Sequence, residues 1–290
     1  MNSASQSNLL LSGRVSVRYG DKPCVLRDVA LDIRRGEVLG LIGQSGSGKS
    51  TLAMTILGLL DRKRARAEGT LAFEDHDLPK LDLLKLRDRE FRSLRGRKIA
   101  LVLQSPLSSL NPALKIRTQL KEAWRAHESG TKAVCESAIH AALESVSLPS
   151  SDDFLRKYPS QMSVGQAQRV LIAMAVMHRP ALLIADEATS ALDVITQSEI
   201  LALFRELNRT TGMAILYISH DLASVAGICD RIAILHEGQI VELGTTEQVL
   251  ADPQHEYTQR LMAALPRVPD PRDRNLAQTP QRIATAAGAK

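Results

Sequence analysis

Gly43-Gln44-Ser45-Gly46-Ser47-Gly48-Lys49-Ser50 has the spacing G-x-x-x-x-G-K-S, followed by Thr51, and this is the most chemically specific segment of the chain. Glycines at these positions let successive backbone N–H groups turn toward phosphate oxygens, conformations that a Cβ obstructs. A helix starting at the loop adds the positive end of its dipole. Lys49 is then placed to neutralise β- and γ-phosphates, and the Ser50 hydroxyl to ligate Mg²⁺. A second segment, Leu182-Leu183-Ile184-Ala185-Asp186-Glu187, is an apolar run that delivers two carboxylates at its end. Asp186 suits Mg²⁺ held through water. Glu187 suits polarisation of an attacking water, because phosphoryl transfer needs an oriented nucleophile more than covalent chemistry. Together the two segments imply a phosphate-loop nucleoside triphosphatase that uses Mg²⁺.

Further segments narrow the reading. Ser163-Val164-Gly165-Gln166 precedes an apolar helix, with Ser163 as N-cap and Gly165 exposing backbone N–H groups to an anion. It resembles the signature of ABC ATPases, usually Leu-Ser-Gly-Gly-Gln, whose serine and glycine contact the γ-phosphate held by the other subunit of a dimer. Gln104 falls at the position of that family's Q-loop glutamine, a Mg²⁺ ligand and permease sensor. Ser190-Ala191-Leu192-Asp193 looks like the D-loop, His220 falls at the switch histidine that senses the γ-phosphate, and Tyr19 matches the aromatic that stacks on adenine. The resemblance covers about residues 9–266. It implies an ABC core made of a parallel sheet, an antiparallel β section and a helical subdomain. In that scheme Glu187 and His220 are catalytic, and Tyr19, Gly43 to Thr51 and Gln104 bind ATP.

Two segments are similar to the peptide/nickel importer ATPases: Gln104-Ser105-Pro106-Leu107-Ser108-Ser109-Leu110-Asn111-Pro112, and Asp252-Pro253-Gln254-His255-Glu256-Tyr257-Thr258. This similarity implies uptake of peptides, nickel or a metal-chelate-like solute. The implied partners are two permease subunits, a second related ATPase in a heterodimer, and an extracytoplasmic binding protein. The implied location is peripheral, at the cytoplasmic face of a bacterial inner membrane. The alternative is an ATPase subunit of a soluble complex such as the phosphonate carbon–phosphorus lyase system. Three residues depart from the pattern: Val164 replaces the first signature glycine, Ala188 a proline and Glu256 a proline. Some relatives hold an iron–sulfur cluster in the C-terminal extension. No cysteine follows Cys229 here, so four thiolates cannot be assembled there and no cluster is expected.

The elements that must position these residues follow from hydrophobic periodicity. Short apolar runs broken by turns predict a β-rich section from Leu9 to Val38, then a strand at Val38–Ile42 and a helix from Ser50 to Leu60. A strand is expected at Glu68–Phe73, with the charged stretch after it helical up to Arg95-Gly96. Strand Ile99–Leu103 precedes helical patterning over Leu114–Leu148. A helix from Val170 to His178, strand Leu182–Ala185, helix Thr196–Asn208, strand Ala214–Ile218 and strands around Ile232–Leu235 and Gln239–Glu242 complete the α/β pattern. The implied organisation is a first half of the ATPase core over 9–104, a helical subdomain over 105–165 ending in the signature, and a second half over 166–250. The C-terminal extension spans 251–290, its end read as a disordered tail.

Composition sets outer limits. Aromatic residues are 3% of the chain, which argues against base-stacking platforms, and no nucleic-acid partner is expected. Cys24, Cys135 and Cys229 lack metal-site spacing and read as reduced thiols. The longest wholly apolar run, Val170 to Met177, is far too short to span a bilayer. Lys85 to Lys98 holds seven basic residues against Asp88 and Glu90, a local excess equal to the net charge of +5 of the whole chain. The stretch reads either as a solvated surface or as a contact for anionic lipid headgroups or an acidic partner.

Overall fold

The computed structural model describes residues 8–263. The expectation of a disordered tail lies outside them. Two sheets carry the fold. The antiparallel sheet has the order β2 (Leu26–Arg34), β1 (Leu9–Tyr19), β4 (Ala65–Phe73), β5 (Leu81–Asp82). The six-stranded sheet has the order β10 (Gln239–Thr245), β9 (Arg231–His236), β3 (Val38–Ile42), β8 (Ala214–Ser219), β7 (Leu182–Asp186), β6 (Ile99–Val102). All its pairings are parallel except that of β9 with β10.

Residues along the central strands alternate between two cores, as a sheet covered on both faces requires. Leu39, Leu41, Leu182, Ile184, Leu216 and Ile218 face the antiparallel sheet, with α1 (Lys49–Ile56) packed in the same core. Val38, Ile42, Leu183, Ala185, Ile215 and Tyr217 face the other way. That second core also holds residues of the helices between β6 and β7 and of two later helices. The former are α4 (Ile116–Arg125), α5 (Lys132–Ser145), α6 (Asp152–Leu155) and α7 (Val164–Val176), and the latter α8 (Val194–Thr211) and α9 (Leu222–Ile228). Gly40 is small for a reason on this face: a Cβ there meets Val225 Cγ1 at 2.6 Å and Cys229 Sγ at 2.9 Å.

Several element boundaries differ from the sequence expectations. The first helix ends at Ile56, and Gly58 then adopts φ +61°, where a Cβ runs into the Phe91 ring. The charged stretch forms only a short 3₁₀ turn at Leu83–Lys85 and α2 (Asp88–Leu94). Two of its basic residues are committed within the fold. Arg95 donates to the Leu57 and Gly58 carbonyls at 2.8 Å and pairs with Asp88, while Lys98 binds Asp75 at 2.7 Å. Arg95 thus satisfies carbonyls at the open end of α1, which weakens the reading of this stretch as a free cationic surface. α7 begins at Val164 rather than Val170, because Ser163 and Gln166 form a capping box. α8 runs from Val194 because Asp193 caps the N–H groups of Ile195 and Thr196, and it stops where Gly212 takes φ +69°.

Gln119, buried at the start of the helical region, ties down the loop after the short α3 (Pro106–Ser109). Its amide accepts from Asn111 N at 2.9 Å and donates to the Asn111 and Leu114 carbonyls. At the other end α10 (Thr246–Ala251) leads to α11 (Glu256–Ala263), where the Tyr257 ring stacks on His236 with centroids 3.8 Å apart.

Candidate functional site at the strand ends

Strand register brings the predicted segments to one level. Ile42 pairs with Ser219 and Asp186 with Ile218, so Gly43, Glu187 and His220 all leave the sheet at the same edge. This is the C-terminal edge of the parallel strands, where open α/β sheets bind ligands. The loop after β3 is built by its glycines. Gly46 and Gly48 adopt φ +82° and +109°, and a Cβ on Gly43 collides with the Leu235 carbonyl and with Ser47 Oγ. The Gly238 N–H donates to the Ser47 carbonyl at 3.1 Å, so the β9–β10 turn closes the loop from one side.

Gly48 is the N-cap of α1 and provides no side-chain cap, leaving the first N–H groups of that helix open. Lys49 lies buried beneath the loop and donates to the Gly43 carbonyl at 2.8 Å and the Gln44 carbonyl at 3.0 Å. Burial pulls its ammonium below the usual lysine range, while Glu187 and Asp186 push the other way. Ser50 is exposed on the first turn, and Thr51 sits half-buried beside it.

Asp186 is buried, and its Oδ1 has no hydrogen-bond partner. Burial raises its carboxyl above the usual range; Glu187 adds to this, while the Ser50 hydroxyl and Lys49 oppose it. A buried orphaned carboxylate oxygen beside a serine hydroxyl fits a Mg²⁺ site completed by phosphate and water, which needs few protein ligands. Among the described residues no cluster of three or more His, Cys, Asp or Glu is placed to hold a metal by itself.

Glu187 follows at φ +49°, a left-handed conformation unusual for a side chain of this kind. Its N–H donates to the Ile218 carbonyl at 2.9 Å, and its carboxylate lies 3.3 Å from His220 Nδ1. The structure therefore gathers Lys49, Ser50, Asp186, Glu187 and His220 into one group. Other predicted residues lie apart from it. Tyr19 ends β1, half-buried. Gln104 is exposed just past β6. Ser163, Val164, Gly165 and Gln166 open α7, where Ser163 Oγ accepts from Gln166 N at 3.2 Å. Gly165 packs against α8, since a Cβ there meets Thr196 Cγ2 at 2.7 Å. Ser190 and Asp193 are exposed on the turn into α8, with Ser190 Oγ donating to the Glu187 carbonyl at 3.0 Å.

Sequence reasoning missed the polar groups behind this site. Tyr217, fully buried, has its hydroxyl 2.8 Å from Thr189 Oγ1 and 3.3 Å from Ser224 Oγ. The available signal was a single phenol inside the otherwise apolar run Ala214–Ile218. The docking of Gly238 on Ser47 had no local signal, because it joins positions far apart in the chain.

Residues 26–190 match the family model described as ABC transporter, and residues 241–289 match that described as the C-terminal region of oligopeptide/dipeptide transporters. A dipeptide transport ATP-binding protein of Haemophilus influenzae is 42% identical over 255 residues, covering 87% of this chain and 76% of the relative. The protein of that description from Escherichia coli is 38% identical over 283 residues, covering 97% of this chain and 83% of its own length. Among solved structures, a dimeric ATP-binding cassette in a post-hydrolysis state bound to ADP and phosphate superposes with TM-score 0.69 at 26% identity, covering 81% of this chain and 98% of the other. No helix among the described residues is long and apolar enough to cross a membrane. The chain belongs to the ABC transporter ATPases: it is an ATP-binding subunit whose hydrolysis is coupled to transport, with a C-terminal region of the oligopeptide/dipeptide transporter type.

Proposed function

We propose that this subunit hydrolyses Mg-ATP to drive uptake of peptides through a separate pair of permease subunits. The observation that carries the reading is the convergence of Lys49, Asp186, Glu187 and His220 at one sheet edge, with the Glu187 carboxylate 3.3 Å from His220 Nδ1. In this reading the open N–H groups of α1 and the phosphate loop bind the triphosphate, with Lys49 leaving the Gly43 and Gln44 carbonyls to face it. Ser50, Asp186 and Gln104 would hold Mg²⁺, which would neutralise phosphate charge. Glu187 orients the attacking water, and His220 holds Glu187 and the γ-phosphate in register. Tyr19 stacks on adenine.

The signature residues Ser163 to Gln166 lie at the start of a different helix from the phosphate loop. They are assigned to a composite site with a second ATPase subunit, across which Ser190 and Asp193 also lie. Val164 shows no positive φ, so valine is tolerated there without backbone strain. We assign the partner as a related ATPase and the pair as a heterodimer, with an extracytoplasmic binding protein supplying the solute. The assembly then sits at the cytoplasmic face of the membrane. Residues 9–104 and 166–250 form the catalytic core in this scheme, and 105–165 is the part that meets the permeases.

Peptides are preferred over nickel or a metal chelate because the relatives are named for dipeptide transport, and the same names favour import over a soluble lyase complex. Affinity purification of the full chain from its native membranes tests this. Recovery of permeases, with ATPase activity that rises when peptide-loaded binding protein is added, is the expected result. Recovery of soluble enzyme subunits alone overturns it.

A further inference from the structure

We propose that Tyr217 is a positioning residue for ATP hydrolysis, its phenol pinning the loop that carries Glu187 to the loop that carries His220. The inference rests on the roles given above to Glu187 and His220.

Tyr217 sits on β8 three residues before His220, and its ring is wholly buried beside Phe204. Packing alone needs only the ring. The hydroxyl is different, because it reaches the Glu187 loop directly and the His220 loop through Ser224 of α9. It lies 2.8 Å from Thr189 Oγ1 and donates to Ser224 Oγ at 3.3 Å. Ser224 Oγ in turn donates to the Asp221 carbonyl at 2.7 Å. Each hydroxyl has one proton to give, so the directions are fixed: Thr189 donates to Tyr217, Tyr217 to Ser224, and Ser224 to Asp221. The chain of bonds starts two residues beyond Glu187 and ends on the residue after His220. The Ser219 hydroxyl joins it by accepting from Asp221 N at 3.0 Å. Burial raises the phenol above its usual range, so it keeps its proton at neutral pH.

The pin has a strained object to hold. Glu187 adopts φ +49°, a conformation that persists in a non-glycine residue only where its surroundings over-determine it. On the strand side its N–H is fixed by the Ile218 carbonyl, and on the loop side its carbonyl accepts from Ser190. Thr189 lies on that loop side, and among the described residues Tyr217 supplies its only side-chain hydrogen bond. Without it one of the bonds that hold the loop is lost, and the strained backbone can relax part of the way toward an ordinary conformation. Such a relaxation shifts the carboxylate by an ångström or so relative to His220, a displacement that costs turnover rather than nucleotide binding.

The test is a double-mutant cycle in the assembled transporter with Tyr217→Phe, Thr189→Val and the pair combined. Thr189→Ser serves as the variant that keeps the hydroxyl, and Glu187→Gln as the control. The expected result is a loss of roughly 10-fold in kcat for each single variant with KM for ATP within about twofold. The double variant is expected to be no worse than either single one, and Thr189→Ser to retain most of the wild-type rate. A lowered melting temperature with kcat unchanged, or losses that multiply in the double variant, overturns the pin. Thr189→Val and Thr189→Ser decide the matter by themselves if Tyr217→Phe does not fold. If Glu187→Gln turns over at the wild-type rate, the site assignment fails and the pin with it. If Glu187→Gln is inactive while Tyr217→Phe is normal, only the pin fails.

Discussion

Asp186→Asn is expected to make the nucleotide-free protein more stable while removing its response to Mg-ATP. The carboxyl of Asp186 is raised above its ordinary range by burial, with Glu187 adding to the effect. A group whose folded pKa is raised is favoured while protonated, and its contribution is lost as pH rises through that folded value. Where that carboxyl is ionised, the folded protein bears the cost of a buried charge, including Oδ1 with no partner. A buried unsatisfied polar group costs about 1–3 kcal/mol. Asparagine removes the charge but keeps the shape, and it forfeits attraction to Lys49, so about 1 kcal/mol is recoverable, or roughly 2–4 °C in melting temperature. Mg-ATP at about 100 times its Kd stabilises the wild type by about 2.7 kcal/mol, which corresponds to roughly 5–10 °C. The variant should keep only the smaller shift given by ATP in EDTA. Thermal unfolding with no nucleotide, with ATP in EDTA and with Mg-ATP measures all three states. The advantage of asparagine should shrink as pH falls toward the carboxylate range. A lower melting temperature for the nucleotide-free variant, or a wild-type shift with Mg-ATP, refutes the reasoning.

Lys49→Ala removes the cation beneath the phosphate loop, a charge-assisted contact of about 1.5–3 kcal/mol. Titration calorimetry with a non-hydrolysable ATP analogue should show affinity lower by roughly 10- to 100-fold, and unchanged affinity places the nucleotide elsewhere. Val164→Gly should raise ATPase activity in the proposed heterodimer by no more than a few-fold, on the order of 1 kcal/mol or less. The gain should vanish when the partner's catalytic glutamate is disabled, and an equal gain in both backgrounds contradicts two inequivalent sites. Gly40→Ala places a Cβ 2.6 Å from Val225 Cγ1, and overpacking of this kind costs about 1–3 kcal/mol. Its melting temperature should fall while kcat for the remaining folded protein holds, and an unchanged melting temperature shows that α9 shifts freely.

The parts of this molecule that were readable from sequence are those whose physics is local. Gly43 to Ser50 announces itself because a phosphate loop needs glycine conformations, a lysine and a hydroxyl at fixed spacing. Apolar runs such as Leu182–Ala185 mark strands buried on both faces. Boundaries set by caps were less legible: the capping box of Ser163 and Gln166 starts α7 six residues before the apolar run that revealed the helix. Long-range partners were not legible at all. The basic stretch at Lys85–Lys98 reads in sequence either as a solvated surface or as a contact for other molecules, whereas Arg95 is committed to carbonyls at the end of α1. The Thr189–Tyr217 bond and the Gly238–Ser47 bond join segments that no periodicity connects.

Glu187→Gln in the reconstituted transporter tests the central claim most directly, with ATP binding, ATP hydrolysis and peptide uptake measured on one preparation. The amide keeps the volume of the side chain but loses the charge that orients water, a loss on the order of 10²–10⁴-fold for a positioned base. The account predicts near-normal ATP binding, hydrolysis reduced by about that factor, and no peptide accumulation. Wild-type hydrolysis in that variant, or peptide uptake that continues without hydrolysis, contradicts it.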